Sequence, residues 1–442
     1  MWTYHPELLA VPVPRYTSFP TAAEFGEGVG AKELATALEG ENGEVSLYVH
    51  IPFCEQICWY CGCNTSAANR SERVSSYLDA LHREIGLIAE RLPRAARVTR
   101  IAFGGGSPNS ISPIDFVRLV DALTLDFAVR SDPGNRPVIS IELDPRTFGP
   151  QWAAVIGAVG ITRASLGVQT FDPALQQAIG RVQPSRMIEN ATAVLRGAGV
   201  DSLNFDLMYG LPGQTLAQLR DSLEQTVALG ADRVALFGYA HVPHLIARQK
   251  QIDDSALPDA EARFGMAAYG YEYLVDQGYV PVGFDHFARP GDALAQASVS
   301  GTLRRNFQGF TEDQAPVLIG LGASAISSFP DLLVQNEKNA GRYRMMLSQE
   351  RLTANRGIVR TAEDRRRGAV IEALLCRGRA RIEPDLQQEA LPLLRPYLDA
   401  GLCQMDGDHL AVLPGGLPYV RSIAARFDPY RKDSLRRFSS AV

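Results

Sequence analysis

The feature that most restricts the fold is an alternation of short apolar segments with longer amphipathic segments between about residues 45 and 327. The short segments are typical of β-strands, and the longer ones, such as 75–92, carry apolar residues at helical spacing. Strands that alternate with helices form right-handed βαβ units. With at least six units, an α/β fold with a partial or full (β/α) barrel is favoured over an open doubly wound sheet. The predicted strands are 47–51, 98–103, 138–143, 163–168, 203–209, 233–240 and 279–287, with 316–327 as the last element of the sheet.

The pattern changes after about residue 330. Helices are predicted over 361–376, 386–398 and 417–426, and a hairpin over 402–413 turns at Asp406-Gly407-Asp408. Helices around one hairpin resemble a small winged-helix module. Residues 331–442 carry 19 Lys or Arg against 14 Asp or Glu, but no strongly basic helix, so a lid or packing domain is favoured over DNA binding. The predicted organisation is an N-terminal arm (1–44), a barrel (45–330) and a mainly helical C-terminal domain (331–442).

Composition and termini exclude several classes of protein. With 46% apolar and 21% charged residues, the composition is that of a globular chain and not of a disordered one. No run of about 18 apolar residues exists, which argues against a membrane span. The N-terminus lacks a basic segment followed by an apolar one, as a secretory signal would have. We therefore expect a cytoplasmic protein.

Four of the six cysteines lie within ten residues. Cys54, Cys58 and Cys61 have the spacing C-x3-C-x2-C, and Cys63 follows two residues later. Such clustering indicates soft-metal ligation rather than disulfides. Three thiolates on one loop can hold three corners of an iron–sulfur cubane and leave one iron open. Zinc is the competing metal, although structural zinc usually takes two separated cysteine pairs, and buried inert cysteines are a third reading.

A C-x3-C-x2-C loop after the first strand of a β/α barrel resembles the radical S-adenosylmethionine superfamily. The fuller set of motifs resembles the oxygen-independent coproporphyrinogen III oxidase family within it. This set comprises PRYTSFP, YVHIPFC, CGC, GGGSPN, SIELDPR, LGVQTF, FDLMYGLPGQT, YAHVP, DHFARP, RNFQGF and LGASAIS. The resemblance runs from residue 14 to about 327 and extends to the C-terminal module. It implies a partial (β/α) barrel of the radical SAM type with a winged-helix-like C-terminal domain.

The resemblance also implies roles for individual residues. Cys54, Cys58 and Cys61 would bind a 4Fe–4S cluster, whereas Cys63 matches a family position that is not a ligand. Tyr48 and His50 would contact the first S-adenosylmethionine, and His50 is the one catalytic candidate. A second S-adenosylmethionine is implied. The remaining positions matching contacts to either cofactor molecule are Tyr60, Gly104, Gly105, Gly106, Ser107, Glu142, Gln169, Arg181, Asp206, Ala240 and Ile326.

The implied reaction is the oxidative decarboxylation of two propionates of coproporphyrinogen III to vinyl groups, giving protoporphyrinogen IX in haem biosynthesis. A 5′-deoxyadenosyl radical, made from S-adenosylmethionine at the cluster, would start it by taking a β-hydrogen from a propionate. A flavodoxin- or ferredoxin-type protein would supply electrons, and a monomer is expected. Four propionates require cationic or bidentate donors. The candidates for this task are Arg15, His286, Arg289, Arg304 and Arg305.

Two alternatives stay open at this stage. The first is the related haem chaperone, whose sequences read C-D-F where this chain has Cys61-Gly62-Cys63. The second is a zinc-dependent regulator that binds DNA through the C-terminal module. The chain also departs from the family pattern at Ser107, Asn109 and Gly238, close to the expected second cofactor site.

Overall fold

The computed structural model describes residues 2–129 and 136–431. Its centre is a sheet of twelve strands in the order β16-β15-β14-β13-β1-β4-β5-β6-β7-β8-β10-β9. The strands of this sheet are β1 (Glu44–Ile51), β4 (Arg97–Gly105), β5 (Val138–Leu143), β6 (Arg163–Gln169), β7 (Ser202–Tyr209), β8 (Arg233–Gly238), β9 (Val280–Val282), β10 (His286–Ala288), β13 (Val317–Leu321), β14 (Ile326–Phe329), β15 (Leu332–Asn336) and β16 (Ala354–Val359). Four shorter strands form two separate pairs, β2 (Phe53–Cys54) with β3 (Ser66–Ala67) and β11 (Arg304–Asn306) with β12 (Gly309–Thr311).

Six strands, β1 and β4–β8, run parallel and pair in chain order, as a βαβ barrel requires. β13 adds a seventh parallel strand beside β1. Antiparallel strands then extend both edges, and β16 and β9 are opposite ends of the sheet. The barrel is therefore partial, as predicted. Its seven parallel strands bring their carboxyl ends to one rim, where barrel enzymes place their active sites.

Fourteen α-helices are found within the described residues. Ser112 caps α4 by accepting from the Asp115 amide, Pro113 follows at the first helical position, and Phe116 and Leu119 are buried against the sheet. The helices are α1 (Pro6–Leu9), α2 (Ala31–Glu39), α3 (Ser71–Ala89), α4 (Pro113–Asp126), α5 (Pro150–Val159), α6 (Pro173–Ala178), α7 (Ser185–Gly197), α8 (Leu216–Ala228), α9 (Ala260–Asp276), α10 (Ala293–Ser300), α11 (Ala340–Leu347), α12 (Ala362–Arg377), α13 (Pro384–Asp399) and α14 (Val420–Ala424).

Two of the predicted strands are each a pair of shorter antiparallel strands. The segment 279–287 contains β9 and the start of β10, which turn at Gly283 with φ +61°. The segment 316–327 contains β13 and the start of β14, which turn at Gly322 with φ +99°. Both predictions of one continuous element were wrong because a glycine in the left-handed region reverses the chain within an apolar run.

The C-terminal module contains the predicted helices α12 and α13. The predicted hairpin is also present as β18 (Cys403–Asp406) and β19 (His409–Val412), and β17 (Arg379–Arg381) pairs with β19 to give three strands. The segment predicted to be helical, 417–426, is helical throughout, but it mixes 3₁₀ and α geometry and ends in a 3₁₀ turn, Ala425–Phe427. Pro418 lies in a 3₁₀ segment, Pro414–Tyr419, so that only Val420–Ala424 is α-helical. The main sheet continues past residue 330 through β15 and β16, and the division there stays a prediction.

The N-terminal arm packs against the C-terminal module. The Tyr16 hydroxyl donates to Asp428 at 2.9 Å, and Glu24 forms an ion pair with Arg431 at 2.5 Å. The Tyr419 hydroxyl donates to the carbonyl of Thr3 and accepts from the amide of His5. These bonds join the two ends of the chain beside the barrel. None of the helices in the described ranges combines the length and apolar composition that crossing a membrane requires.

Candidate functional site

A cavity at the carboxyl rim of the barrel contains most of the predicted cofactor residues. It encloses about 760 Å³ when the space at its open mouth is included. We call it the cysteine cavity. The predicted residues that line it are Cys54, Cys58, Tyr60, Cys61, Gly105, Gly106, Ser107, Glu142, Gln169, Arg181 and Asp206. Residues from four strands, β4 to β7, and from the cysteine loop thus meet in one place, although they span more than 150 positions of sequence.

Backbone hydrogen bonds hold the cysteine loop against the end of β4. The Gly106 amide donates to Ile51 at 2.9 Å, and the Ser107 amide donates to Phe53 at 2.7 Å. A Cβ on Gly106 would overlap the Phe53 carbonyl oxygen, so only glycine permits this approach. Farther along the loop, the Trp59 amide donates to Ile179 at 3.1 Å. The loop is anchored at both its start and its middle.

The glycine run forms a cradle beside the cysteines. Gly105 has φ +107°, and a Cβ there would overlap the imidazole of His50. A Cβ on Gly104 would lie 2.8 Å from the Glu142 carboxylate. His50 is buried, and its Nδ1 shares a hydrogen bond with the Tyr48 hydroxyl at 3.2 Å. Burial lowers the pKa of His50 to about 4. His50 is therefore a neutral side chain that packs under the glycine backbone at neutral pH.

The three thiols have chemically different surroundings. The Cys58 sulfur accepts from Arg181 at 3.3 Å and from Arg146 at 3.4 Å. Hydrogen bonding from Cys63 lowers the pKa of Cys61 to about 6, whereas burial raises the pKa of Cys54 to about 12. The two guanidinium groups beside Cys58 can thus donate charge-assisted hydrogen bonds to its sulfur.

The donor set fits a cluster better than a single ion. Among the described residues, no three His, Cys, Asp or Glu side chains converge as one metal ion would need. A cubane takes its thiolates at separate corners, so cysteines spread around one cavity suit it. The cradle of glycine amides and the cationic groups on Cys58 also suit an anionic cluster with a further ligand. The residues present therefore fit a 4Fe–4S cluster.

Two carboxylates face the cysteines across the cavity. Glu142 accepts from the Gly105 amide at 3.2 Å, and burial together with the nearby Asp206 raises the pKa of Glu142 to about 7. Asp206 is held by Ser165 at 3.0 Å and Asn204 at 2.8 Å, and burial raises its pKa as well. Acceptors in this position can bind the amino group, the ribose hydroxyls or the positive charge of a ligand.

The other predicted cofactor residues lie around the cavity and not in its lining. Tyr48 packs edge-on against Phe307 with ring centroids 5.2 Å apart. Ile326 lines a separate cavity near the N-terminal arm. The Ala240 carbonyl accepts from Gln249, which also donates to the Tyr60 carbonyl, both at 3.0 Å. Gln249 thus links the end of β8 to the cysteine loop.

The predicted substrate residues divide into two groups. Arg15 lines a cavity on the flank of the barrel. Arg305 donates to the carbonyls of Tyr16 and Arg15. His286 lines the barrel interior and forms a hydrogen bond with Asp285 at 2.7 Å. The structure brings these three to one side of the barrel. The other two have different partners, because Arg304 pairs with Glu372 at 2.9 Å and Arg289 stacks on Tyr279 at 4.1 Å.

Several residues of these sites were missed from sequence. Asp144 and Arg146 belong to the quoted SIELDPR motif and could have been singled out there. Gln249, Arg263 and Arg421 lie outside every quoted motif, and no local pattern marks them. Their positions depend on chain segments that meet only in the folded protein.

Comparison with known proteins identifies the family. Residues 48–226 match the sequence model of the Radical SAM superfamily. The chain is 40% identical over 441 residues to the oxygen-independent coproporphyrinogen III oxidase of Bradyrhizobium diazoefficiens, with 97% of each chain covered. It is 36% identical over 444 residues to the Escherichia coli protein of that name, which covers 97% of this chain and 96% of the relative.

A solved structure agrees with these relatives. The coproporphyrinogen III oxidase from Escherichia coli, described as a radical SAM enzyme, matches with a TM-score of 0.91 at 34% identity. The match covers 97% of this chain and 99% of that one. The fold predicted from sequence is therefore confirmed, and the chain belongs to the oxygen-independent coproporphyrinogen III oxidase family of the radical SAM superfamily.

Proposed function

We propose that the protein converts coproporphyrinogen III to protoporphyrinogen IX without oxygen, by oxidative decarboxylation of two propionates to vinyl groups. The observation that carries this proposal is the cysteine cavity, in which three cysteines, a glycine cradle and two carboxylates meet at the barrel rim. The curated relatives that match nearly the whole chain bear the name of this activity. None of those three is named as a haem chaperone, so the oxidase reading is favoured.

The cofactors are a 4Fe–4S cluster and S-adenosylmethionine. Cys54, Cys58 and Cys61 would hold the cluster, and the Gly105 backbone with Glu142 would hold the S-adenosylmethionine beside it. When bound, these two groups would supply the radical chemistry that starts the decarboxylation of a propionate. The protein's own part is to orient both reactants and to keep water away from the radical.

A second S-adenosylmethionine site remains a proposal. Tyr60, Gln169 and Arg181 form part of the wall of the cysteine cavity. Arg181 has a cationic group for a carboxylate, and Asp206 has acceptors for ribose hydroxyls. This wall has the donors and acceptors that an amino-acid nucleoside needs.

The barrel interior offers room for the macrocycle. A cavity of about 1340 Å³, its open mouth included, shares Glu142, Ser165 and Asp206 with the cysteine cavity. Phe237 and His286 lie on its wall. A porphyrinogen in this space would present one propionate to the cysteine cavity.

Further properties follow from the family resemblance. We propose a flavodoxin- or ferredoxin-type electron donor that docks beside the cysteine loop, where Gly62 and Cys63 are exposed. We also propose a monomer that works in the cytoplasm, with an arm (1–44), a barrel (45–330) and a C-terminal domain (331–442). No role in nucleic-acid binding is proposed for the C-terminal module.

The test is an anaerobic assay of the reconstituted protein with reductant, S-adenosylmethionine and coproporphyrinogen III. Loss of two carboxyl groups by mass, together with 5′-deoxyadenosine, is the expected result. Formation of 5′-deoxyadenosine without decarboxylation would support the radical chemistry but show that coproporphyrinogen III is not the substrate. If a protein with an intact cluster gives neither product but binds haem tightly, the chaperone function replaces the oxidase function.

A further inference from the structure

A second cavity on the flank of the barrel carries an excess of positive charge. It encloses about 730 Å³, its open mouth included, and lies between β8, α9, the N-terminal arm and the C-terminal module. We call it the flank cavity. Arg15, Arg263 and Arg421 line it, and Asp285 is the one carboxylate among its lining residues in the described part of the chain. Asp285 is itself bonded to His286 at 2.7 Å.

The protein leaves part of this charge without a hydrogen-bonding partner. Arg263 donates from Nη2 to the Tyr239 carbonyl at 2.9 Å, but its buried Nε has no partner among residues 2–129 and 136–431. The Arg15 guanidinium lies over the Phe237 ring at 5.2 Å and has no ion pair with a described residue. Buried donors without acceptors are costly, which indicates that an additional acceptor belongs here.

The arginines also crowd one another. Burial, and then the charge of Arg15, lowers the pKa of Arg421 to about 10. Arg305 lies close by, over the Phe284 ring at 5.2 Å, while Arg421 lies over the same ring at 5.4 Å. Arg305 and Arg421 are therefore like charges beside one aromatic ring, and the Asp285 carboxylate offsets part of their repulsion. A bound carboxylate would relieve that repulsion with bidentate hydrogen bonds.

The rest of the wall defines what carries the carboxylate. Trp2, Tyr209, Tyr271 and Phe287 contribute aromatic surface, and Leu236 contributes aliphatic surface. A small inorganic anion would gain nothing from packing against these apolar side chains. A carboxylate on an apolar arm would pair with the arginines and also pack against the aromatic wall. The substrate of the proposed reaction carries four such arms, each a propionate on a pyrrole ring.

The flank cavity lies next to the barrel interior. Arg15 stacks on Phe237, and Asp285 directly precedes His286, while both Phe237 and His286 line the interior cavity. Phe237 and His286 therefore form part of the layer between the two cavities. A macrocycle in the interior could extend a peripheral arm past this layer while another arm faces the cysteines.

We propose that the flank cavity binds a propionate of coproporphyrinogen III that is not the one reacting at the cysteine cavity. This inference rests on the proposed function. Arg15 comes from the arm, Arg263 from α9 and Arg421 from the C-terminal module. The subsite is thus completed only when both ends of the chain pack on the barrel, which gives the C-terminal module a role in substrate recognition.

The test measures binding of coproporphyrin III, the stable oxidised tetracarboxylate, to the anaerobic cluster-loaded protein by fluorescence titration. Arg15→Ala and Arg263→Met should each raise the Kd roughly tenfold or more, the loss of a hydrogen bond to a charged group. Arg263→Lys, which keeps the charge, should lose less. Wild-type Kd values in both Arg15→Ala and Arg263→Met would overturn the proposal.

Two controls separate charge recognition from folding. Arg426 belongs to the same module and lies over the Tyr397 ring at 5.4 Å, outside the flank cavity, so Arg426→Ala should leave the Kd unchanged. The tetramethyl ester of coproporphyrin III lacks the carboxylates. It should bind the wild type more weakly, and Arg15→Ala should weaken its binding no further. An equal loss of ester and acid binding in Arg15→Ala would overturn the proposal.

The carboxylate of S-adenosylmethionine is the other source of the same chemistry. The Kd for S-adenosylmethionine should stay at the wild-type value in Arg15→Ala and Arg263→Met. If that Kd rises while coproporphyrin binding is kept, the carboxylate is the cofactor's and the proposal is wrong. Failure of the proposed function shows separately, because wild-type protein with its cluster would then form no decarboxylated product.

Discussion

The guanidinium group of Arg181 approaches the sulfur of Cys58, with Nη1 and Sγ 3.3 Å apart. Arg146 donates to the same sulfur from 3.4 Å, and the Asp144 carboxylate pairs with Arg146 at 2.6 Å and Arg181 at 3.4 Å. The three charged side chains are each at most 8% exposed. Cys58 therefore receives two cationic donors that are held in place by one shared carboxylate.

This relationship predicts the redox behaviour of the cluster. Hydrogen bonds and positive charge at a ligand sulfur stabilise the reduced, more negative state. Arg181→Met should lower the midpoint potential by on the order of 60 mV, the equivalent of one charge-assisted hydrogen bond for a single electron. A redox titration followed by electron paramagnetic resonance measures the shift. Arg118→Met, on the exposed surface of α4, is the control, and an unchanged potential in Arg181→Met would contradict the prediction.

Replacement of single cysteines tests the ligand set. Cys54→Ala, Cys58→Ala and Cys61→Ala should each lose the brown absorbance of the cluster and all cleavage of S-adenosylmethionine. Cys63→Ser should keep the cluster, because Cys63 is exposed and bonds to Cys61 through its backbone amide at 3.4 Å. Iron content and visible spectra of reconstituted protein are the measurements. A full cluster in any of the three alanine variants, or lost iron in Cys63→Ser, would show that the assignment is wrong.

The raised pKa of Glu142 predicts a pH dependence for cofactor binding. A group with a pKa near 7 is ionised above that pH and protonated below it, so acidification removes the negative charge that attracts a cationic ligand. Affinity for S-adenosylmethionine should therefore fall as the pH drops below about 7, by up to roughly tenfold per unit. Calorimetric titrations between pH 6 and 8.5 measure it.

The matched variant is Glu142→Gln, whose side chain keeps the shape of the glutamate but has no ionisable group. It should bind S-adenosylmethionine weakly at every pH, with a flat profile. If the variant retains the wild-type slope, another group controls the binding.

The glycine cradle predicts a steric effect. Gly106→Ala places a methyl group against the Phe53 carbonyl, and the loop start must move away. We expect a large loss of cluster content on reconstitution, because Cys54 follows Phe53 directly. Gly86→Ala is the control, since a Cβ there meets nothing within 4 Å inside α3. Equal iron content in the two variants would contradict the prediction.

The buried carboxylate of Glu84 predicts an effect on stability. It accepts from Tyr343 at 2.8 Å, Thr353 at 2.6 Å, Asn336 at 3.0 Å and the Gly322 amide at 2.5 Å. Glu84→Ala leaves these buried donors unpaired and should lower the free energy of unfolding by about 3 kcal/mol. Urea denaturation measures the loss.

Two further variants make that measurement specific. Glu84→Gln keeps the side-chain shape and one acceptor oxygen, so it should lose less stability than Glu84→Ala. Glu90→Ala, on the exposed end of the same helix, should change the unfolding free energy little. Similar losses in Glu84→Ala and Glu90→Ala would reject the network as the cause.

Local patterns predicted the parallel strands well. Their periodicity and apolar character are properties of a few consecutive residues, and 138–143 was found with both boundaries correct. Where the chain reverses within an apolar run, as at Gly283 and Gly322, local pattern failed, because a turn there depends on the strand that each half pairs with.

The sequence by itself determined the expected chemistry of the cysteine cavity and the family, because the three cysteines expected to bind the cluster are contiguous on one short loop. It also determined the barrel, since strand and helix periodicity repeat along the chain. Only the tertiary structure decided which arginines meet. Arg146 and Arg181 converge on Cys58, and Arg15, Arg263 and Arg421 converge on the flank cavity, because side chains distant in sequence become neighbours only when their helices, strands and chain ends pack together.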